Sequence, residues 1–200
     1  RPPRSTRKES SAASDVYKRQ SMYPAKVMTA GEGGFIVTNN KKLRDKLMMI
    51  RNHGMLKGYD TRLLGLNLRL PEINAAIATI QMKKLPKFLK TRQKNAKLLS
   101  KLLSKSNLDL PLERKNENVN WYLYTVTTPK RNMLLKKLNV KGIGAASYYP
   151  IPVHKTPFYK SKTKLPITDW AASNVLSLPI HPKVTAKNIE FIAKTISEIF

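Results

Sequence analysis

The chain has 200 residues and carries 38 basic against 12 acidic side chains, a formal net charge of +26. Hydrophobic residues make up 41% of the sequence and charged residues 25%, as in ordinary globular proteins, which excludes a wholly disordered chain. The lack of cysteine excludes a disulfide-stapled scaffold and thiolate metal sites, and the lack of an apolar stretch of ~18 residues or a signal-peptide core predicts a cytoplasmic protein without membrane spans.

Residues 1–20 differ sharply in character from the sequence that begins at Ser21. They read RPPRSTRKESSAASDVYKRQ, are rich in Arg and Ser, and contain few large aliphatic residues. Read back through the genetic code, residues 10–20 resemble the transposon adapter of a short-read sequencing library, and residues 1–6 resemble the flow-cell primer of the same kit. We therefore expect residues 1–20 to be a translated adapter, disordered in the protein, and the natural sequence to start within a longer protein at Ser21.

A glycine-rich turn precedes the first predicted strand. Residues 31–34 read GEGG, and residues 35–38 read FIVT, an apolar and β-branched run that ends at two asparagines. This pattern predicts a turn that leads into a buried strand.

Two helices are predicted next. Asn40 is placed to cap the first helix and Gly54 to end it, and its apolar face is formed by Leu43, Leu47 and Ile50. Pro71 suits the first turn of the second helix, whose apolar face is formed by Ile73, Ile77 and Ile80. Pro86 interrupts the pattern, which resumes at Leu89, Ala96, Leu99 and Leu103. We expect a kink or a domain join near Pro86, and hence domains at residues 21–85 and 86–200.

Strands and helices also alternate in the remainder of the chain. Residues 121–126 predict a strand from their aromatic and β-branched content, and an extended segment is expected to lead to residues 148–150. Between them, a short helix is expected to contain Met133, Leu134 and Leu138, and the last helix has an apolar stripe of Ile189, Ile192, Ala193 and Ile196. This alternation predicts an α/β or α+β class.

Lys26 is the residue whose surroundings point to chemistry. The hydroxyl of Ser21 and the amine of Lys26 precede the glycine turn, which can pack tightly against a bound group because glycine has no Cβ. A buried lysine amine can bond covalently to an aldehyde cofactor, and a hydroxyl nearby can bind the phosphate of that cofactor. A solvated surface charge is the alternative interpretation of a single lysine.

From Ser21 to its carboxyl end, the sequence resembles the DegT/DnrJ/EryC1/StrS sugar aminotransferases. The resemblance rests on ordered motifs that are each weak alone: residues 21–34, RNHG at 51–54, GLNLR at 65–69, EINAA at 72–76, WYLY at 121–124, Tyr149-Pro150 with His154 and Tyr159, and LPIHP at 178–182. It implies the carboxyl-terminal half of the large aminotransferase fold and the cofactor pyridoxal 5'-phosphate. Residues 21–85 would end the large α/β domain, and residues 86–200 would form the small α+β domain.

The resemblance also implies roles for individual residues of the cofactor site. Lys26 matches the lysine that holds the cofactor and moves the proton during catalysis, and Ser21 matches the serine that binds the cofactor phosphate. Asn67 and Arg69 fall in the stretch that reaches the phosphate from the other subunit of a homodimer, and the choice between them stays open.

The remaining candidates concern the substrate. Tyr149 and His154 match a segment near the sugar-nucleotide pocket, and packing within the small domain is the alternative for both. His53 and His181 are expected to be structural, and the spacing of the three histidines predicts no metal site.

The function implied is transfer of an amino group, usually from glutamate, to the keto carbon of a nucleotide-linked sugar for surface polysaccharide or glycan. A pyridoxal-phosphate-dependent sugar dehydratase of the same group is the near alternative, and Lys26 argues against it because that branch lacks the cofactor lysine. A basic nucleic-acid-binding module is an alternative from another class, but the lysines are scattered and the aromatic residues lie in apolar segments. The family's acidic partner of the pyridine nitrogen falls upstream of Ser21, so we expect this chain alone to be inactive.

Overall fold

The computed structural model describes residues 17–114 and 117–200, and the chain divides into two compact units, Arg1–Leu85 and Pro86–Phe200. Each unit contains helices and a pair of short antiparallel strands. In chain order the elements are β1 (Lys18–Ser21), β2 (Gly34–Val37), α1 (Lys41–Arg51), α2 (Glu72–Leu103), β3 (Tyr124–Thr127), α3 (Arg131–Val140), α4 (Pro166–Asn174), β4 (Val175–Leu178) and α5 (Ala186–Ile199), with a 3₁₀ turn at Val153–Lys155. Among the described residues, no helix combines the length and the apolar content that crossing a bilayer requires.

The first unit contains a two-stranded antiparallel sheet in which Lys18 lies opposite Val37 and Ser21 lies opposite Gly34. All residues of both strands are exposed, and Ile36 is 49% exposed. The strand predicted at residues 35–38 is present as Gly34–Val37, but the prediction that it is buried is wrong. Because β2 pairs only with β1 in the described part of the chain, the strand has no covering layer and both of its faces meet solvent.

The expectation that residues 1–20 are disordered is wrong for Lys18–Gln20, which form most of β1. Strand pairing uses backbone N–H and C=O groups, which every residue except proline supplies, so a segment without apolar side chains can still pair. Residues 1–16, which make up the rest of that expectation, lie outside the described residues.

Helix α1 begins where the sequence predicts, because the side chain of Asn40 accepts a hydrogen bond of 3.0 Å from the Leu43 N–H. At the other end, the Gly54 N–H donates to the Met49 carbonyl with Gly54 at φ +74°, a conformation that favours glycine. The predicted apolar face is half-buried, and no residue of α1 is fully buried.

Helix α2 is a continuous helix of 32 residues that contains Pro86, and the boundary between the two units falls at this proline. The predicted apolar face of its first half, Ile73, Ile77 and Ile80, is exposed. Its second half buries Arg92, Asn95, Ala96, Leu99 and Leu103. The two halves of one helix thus differ in how they are packed.

The second unit is built around the antiparallel pair β3 and β4, in which Tyr124 lies opposite Leu178. Isolated bridges add Asp109 beside Thr127 and Ala146 beside Ser177. The predicted strand at residues 121–126 begins three residues late, because Trp121 has a positive φ of 48° and leaves the extended conformation.

Side chains from two helices hold loops of the second unit in place. The buried guanidinium of Arg92 donates through Nη1 to the carbonyls of Trp121 and Tyr122 at 3.0 and 3.1 Å. Arg131 donates through Nη2 to the Ala172 carbonyl at 2.8 Å and through Nε to the Ser173 carbonyl at 3.2 Å, which caps the carboxyl end of α4.

The last helix, α5, packs as its sequence predicts. Its entire predicted stripe is buried, namely Ile189, Ile192, Ala193 and Ile196. Thr185 and Asn188 form a capping box at its start, in which each residue's side chain bonds the backbone of the other.

Candidate functional site

The segment between β1 and β2 folds into a compact loop around Met22, which is 2% exposed. The Met22 N–H donates to the Gly33 carbonyl at 2.9 Å, and the Met22 carbonyl accepts from the Ala30 N–H at 2.9 Å and from the Thr29 hydroxyl at 3.0 Å. Residues 22–33 thus form a closed loop whose two ends are joined through the backbone. We call it the lysine loop because Lys26 lies on it.

Ser21 and Lys26 are linked through the backbone of Tyr23. The Ser21 hydroxyl accepts from the Tyr23 N–H at 3.3 Å, and the Lys26 N–H donates to the Tyr23 carbonyl at 2.9 Å. Ser21 is exposed, and Lys26 is half-buried. The turn therefore carries one amine and one hydroxyl close together in sequence. The amine is a nucleophile that can react with an aldehyde, and the hydroxyl is a hydrogen-bond donor for a phosphate.

Helix α2 supports the lysine loop from outside it. The Asn74 amide donates to the Ala30 carbonyl at 2.6 Å and to the Glu32 carbonyl at 3.4 Å. Met22, Met28 and Ala30 form a small buried cluster with partly buried side chains from the α2 region, Leu70, Ala78 and Leu85. The sequence gives Asn74 as part of the EINAA motif, but nothing local to that motif reveals this contact 44 residues away.

Glycines allow two chain segments to touch behind residues 65–69. A Cβ on Gly65 would lie 1.9 Å from the Gly54 nitrogen, and a Cβ on Gly54 would lie 1.7 Å from the Leu63 carbonyl oxygen. The backbone of this segment then bonds to the end of α1, through Leu66 N–H to the Ile50 carbonyl and Leu68 N–H to the Arg51 carbonyl. No side chain fits in this crossing.

Asn67 and Arg69 are both exposed beyond this crossing, and they bond to each other. The Arg69 Nε donates to the Asn67 Oδ1 at 2.8 Å. The two residues that the sequence leaves as alternatives therefore form one polar pair. The backbone N–H of His53, which adopts φ 56°, donates to the Leu66 carbonyl at 3.1 Å on the same segment.

The substrate candidates lie in the second unit. Tyr149 is 74% exposed, whereas the side chain of His154 is only 13% exposed. The Nε2 of His154 lies 3.6 Å from Oδ1 of Asp169 on α4, and the Lys155 ammonium lies 2.8 Å from the same oxygen. Sequence reasoning missed Asp169, because its only signal is a single acid in a lysine-rich stretch.

His181 lies in the LPIHP motif, which Asn95 holds through hydrogen bonds from its amide to the Ile180 carbonyl at 3.3 Å and the Val184 carbonyl at 2.9 Å. Partial burial lowers the pKa of His181 below its ordinary value, and the positive charges of Arg92 and Lys183 lower it further.

The candidates thus fall into two groups. Ser21, Lys26, Asn67 and Arg69 belong to the first unit, and Tyr149 and His154 belong to the second. Within residues 17–114 and 117–200, no three His, Asp or Glu side chains cluster in a way that could hold a metal ion.

The sequence of the chain is similar to those of known proteins. Residues 9–197 match the model of the DegT/DnrJ/EryC1/StrS aminotransferase family, so the match begins inside the segment expected to be a translated adapter. The chain is 35% identical over 168 residues to the dTDP-3-amino-3,4,6-trideoxy-alpha-D-glucose transaminase of Streptomyces venezuelae, an alignment that covers 81% of this chain and 44% of that protein. It is 33% identical over 188 residues to a pleiotropic regulatory protein of Geobacillus stearothermophilus, covering 90% of this chain and 50% of that protein.

Solved structures give the same result. The S. venezuelae protein DesV, crystallised with a ketimine intermediate, matches with a TM-score of 0.87 and 31% identity, over 92% of this chain and 51% of that chain. A DegT DnrJ EryC1 StrS aminotransferase from Brucella abortus matches with a TM-score of 0.86 and 28% identity, over 92% and 50%. The predicted carboxyl-terminal half of an aminotransferase fold is confirmed, and the chain spans about half the length of the proteins that it matches.

Proposed function

The chain belongs to the DegT/DnrJ/EryC1/StrS family of pyridoxal-phosphate-dependent aminotransferases, and from this premise we propose that the protein of which it forms part transfers an amino group to a nucleotide-linked keto sugar. The observation that carries the proposal is the supported turn in which Lys26 and Ser21 are both hydrogen-bonded to the backbone of Tyr23. Relatives named as transaminases of dTDP-linked and UDP-linked sugars support the choice of substrate class.

Ser21 and the lysine loop together fit pyridoxal phosphate. A primary amine that is half-buried can hold the aldehyde, and the exposed Ser21 hydroxyl can donate to the phosphate. When bound, the cofactor supplies an electron sink that makes a substrate C–H acidic. In this proposal the Lys26 amine would accept that proton and hold it at Nζ, while the two hydrogen bonds from Asn74 keep the lysine loop in position.

We place the sugar-nucleotide contacts in the second unit, at Tyr149 and His154. Tyr149 offers an exposed ring, and His154 is kept nearly buried beside Asp169. The net charge of +26 favours a substrate that carries a diphosphate. Glutamate as the amino donor, cytoplasmic location and a role in surface polysaccharide or glycan synthesis complete the proposal.

The working protein in this proposal is a homodimer with shared active sites. Residues 56–68 expose an unusual set of large apolar side chains for a soluble surface, namely Leu56, Tyr59, Leu64, Leu66 and Leu68. The polar pair of Asn67 and Arg69 lies in the same stretch. A second subunit covering this stretch would bury the apolar side chains and bring Asn67 or Arg69 to the cofactor phosphate of its neighbour.

The experiment uses the full-length protein, loaded with pyridoxal phosphate and given ¹⁵N-glutamate with dTDP-linked and UDP-linked keto sugars. The expected products are 2-oxoglutarate and an amino sugar that carries ¹⁵N, and Lys26→Ala is expected to abolish both. A dehydrated sugar without ¹⁵N would replace the proposal by the dehydratase alternative. Absence of any sugar product with every keto sugar would contradict the proposal as well.

A further inference from the structure

One face of helix α2 carries a row of lysines that look scattered in the sequence because they are three or four positions apart. They are Lys87, Lys90, Lys94, Lys97 and Lys101, and all five are exposed and belong to the second unit. An α-helix turns by about 100° and rises by about 1.5 Å per residue, so the five lie within an arc of about 80° and extend over about 21 Å. We call this row the lysine stripe.

The lysine stripe lies opposite the face of α2 that packs into the core. The buried residues of the helix are Arg92, Asn95, Ala96, Leu99 and Leu103, which point about 180° away from the lysines on average. Three of them, Ala96, Leu99 and Leu103, belong to the main hydrophobic core of the second unit. The core therefore fixes the helix backbone so that all five lysines face outward together.

The charge of the lysine stripe is not balanced within the helix. Helix α2 contains eight basic residues and one acid, Glu72, in its first turn. Within the described part of the chain, none of the five stripe lysines forms an ion pair. By contrast, α5 has two lysines and two glutamates, and Lys194 lies 3.9 Å from Glu198. Like charges three or four positions apart destabilise a helix, so a negatively charged partner would relieve the repulsion within the stripe.

The residue types of this segment favour a lipid surface over a nucleic acid as that partner. Nucleic-acid recognition uses arginine and aromatic side chains that bind and stack on bases. The only arginine of the segment, Arg92, is buried and donates to backbone carbonyls, and the aromatic Phe88 lies on the side of the helix away from the stripe. Clusters of about four to eight basic residues on a helix suit the headgroups of anionic lipids, which need point charges and no stacking.

An exposed apolar side chain lies beside the lysine stripe. Leu112 is 88% exposed and lines a cleft of about 240 Å³ together with Lys97 and Ser100. A leucine beside lysines can enter the boundary between lipid headgroups and acyl chains, whereas the phosphates of a nucleic acid offer it no apolar contact. Glu113 lines the same cleft, so part of the charge of Lys97 is offset there.

We propose that the lysine stripe binds the protein to the surface of an anionic lipid bilayer, with α2 parallel to the bilayer plane. A straight row on one face of a helix brings all five ammonium groups to a plane at the same time. Each lysine near such a surface contributes about fivefold in affinity, so the binding is reversible and is weakened by salt. The stripe contains none of the residues assigned to amino transfer, so the inference goes beyond the proposed function.

The test measures co-sedimentation of the full-length protein with lipid vesicles at low and high salt. Vesicles of phosphatidylcholine alone are compared with vesicles in which about one third of the lipid is phosphatidylserine. We expect binding to the anionic vesicles only, and loss of that binding at high salt.

Two triple variants remove the same charge from different helices. The stripe variant combines Lys90→Gln, Lys94→Gln and Lys101→Gln, and it should weaken vesicle binding by about tenfold or more. The control variant combines Lys136→Gln, Lys137→Gln and Lys141→Gln, at three exposed lysines in and just after the last turn of α3, and it should bind as the parent does.

The melting temperature separates a binding role of the stripe from a structural one. Glutamine has nearly the same helix propensity as lysine, and its neutral side chain removes the repulsion within the stripe. The stripe variant should therefore melt at the same temperature as the parent or higher, while it loses vesicle binding. Its amino transfer with soluble substrates should be unchanged, because the three lysines are not residues of the candidate site.

Four results would overturn the inference: no binding to anionic vesicles, equal binding to phosphatidylcholine alone, equal loss in the two triple variants, or loss of binding together with a lower melting temperature. A DNA duplex and a single-stranded RNA are probed in parallel. Binding of either one that the stripe variant weakens, without vesicle binding, would assign the stripe to nucleic acid instead. Amino transfer without vesicle binding would contradict the stripe alone, and vesicle binding without amino transfer would contradict only the proposed function.

Discussion

Asn74 donates a hydrogen bond of 2.6 Å from Nδ2 to the Ala30 carbonyl, joining two residues 44 positions apart in the sequence. The same amide donates to the Glu32 carbonyl at 3.4 Å. Both carbonyls belong to the lysine loop, so a helix side chain sets the position of a loop that carries Lys26. The position of the lysine loop therefore depends on a side chain of α2 as well as on the residues of the loop.

Removing this support should destabilise the protein. We expect Asn74→Ala to lower the free energy of unfolding by about 1–2 kcal/mol, because two loop carbonyls lose their donor. Asn74→Asp keeps the size of the side chain but has no N–H, so it should be at least as damaging. Denaturant unfolding measures both, and Asn139→Ala, at an exposed position of α3, is the control. An Asn74→Asp variant as stable as the parent would show that these hydrogen bonds contribute nothing.

Lys26 should be the residue that reacts with the cofactor. In the full-length protein, borohydride reduction followed by peptide mapping is expected to place the phosphopyridoxyl group on Lys26. Lys26→Ala should keep the fold, because a half-buried side chain outside the apolar cluster is lost. Turnover should fall by at least the ~10²–10⁴-fold that general base catalysis supplies. Lys84→Ala, an exposed lysine on α2, should retain activity. Modification of another lysine would refute the assignment.

The contact between Gly54 and Gly65 should make residue 65 intolerant of any side chain. A methyl group there would lie 1.9 Å from the Gly54 nitrogen, so the backbone must move. We expect Gly65→Ala to lower the melting temperature by more than 5 °C, as a loss of more than about 1 kcal/mol does in a domain of ~100 residues. Gly144→Ala, where the new Cβ meets nothing within 4 Å, should be neutral. Equal melting temperatures for the two variants would contradict the close approach.

His181 should make stability depend on pH. Its pKa in the folded chain is lowered from about 6.5 by burial and then by Arg92 and Lys183, so the unfolded state binds the proton more readily. The stability that neutral His181 contributes is complete above its ordinary pKa, and it is lost as the pH falls from that value through the lowered pKa of the folded chain. Unfolding free energies at pH 7.5 and 5.5 should therefore differ more for the parent than for His181→Asn. Lys183→Gln should reduce the difference by raising the pKa. Identical differences in all three proteins would exclude His181 as the cause.

The expectation that residues 1–20 are a translated adapter can be tested on the gene. Assembly of the parent locus from independent reads should show a different sequence running continuously upstream of Ser21. Recovery of the same twenty codons from an unrelated library preparation would show that the segment is natural.

Features that depend on a helix's own sequence could be predicted here, and features that depend on distant segments could not. Successive members of the buried stripe of α5 lie no more than three positions apart, and the Asn40 cap is made to a residue three positions away. The burial of β2 was predicted from its apolar content, but burial needs a second layer that the described residues do not provide. The apolar content of a strand indicates that the strand can be buried, but it does not indicate which other element would cover it.

The residues of the candidate site also differ in whether the local sequence could predict them. Lys26 and Ser21 stand five residues apart, and the motif that contains them is visible in the sequence. The contacts of Asn74 and of Asp169 are made across 44 and about 15 residues, respectively, by side chains that are ordinary in their local setting. Their partners are backbone carbonyls or a histidine on another element, which no local pattern specifies.

We expect the two halves of helix α2 to differ in local stability. Its residues beyond Pro86 contact a buried core, whereas Ile73, Ile77 and Ile80 in the first half face solvent. Pro86 also lacks the N–H that would bond the Met82 carbonyl, so the helical hydrogen-bond ladder is weakest where the packing changes. Backbone amides should therefore exchange with deuterium quickly over residues 73–85 and slowly over residues 92–103, with the step at the proline. The first half is then held on one side by its contacts with the lysine loop, whereas the second half is anchored in the buried core of the second unit.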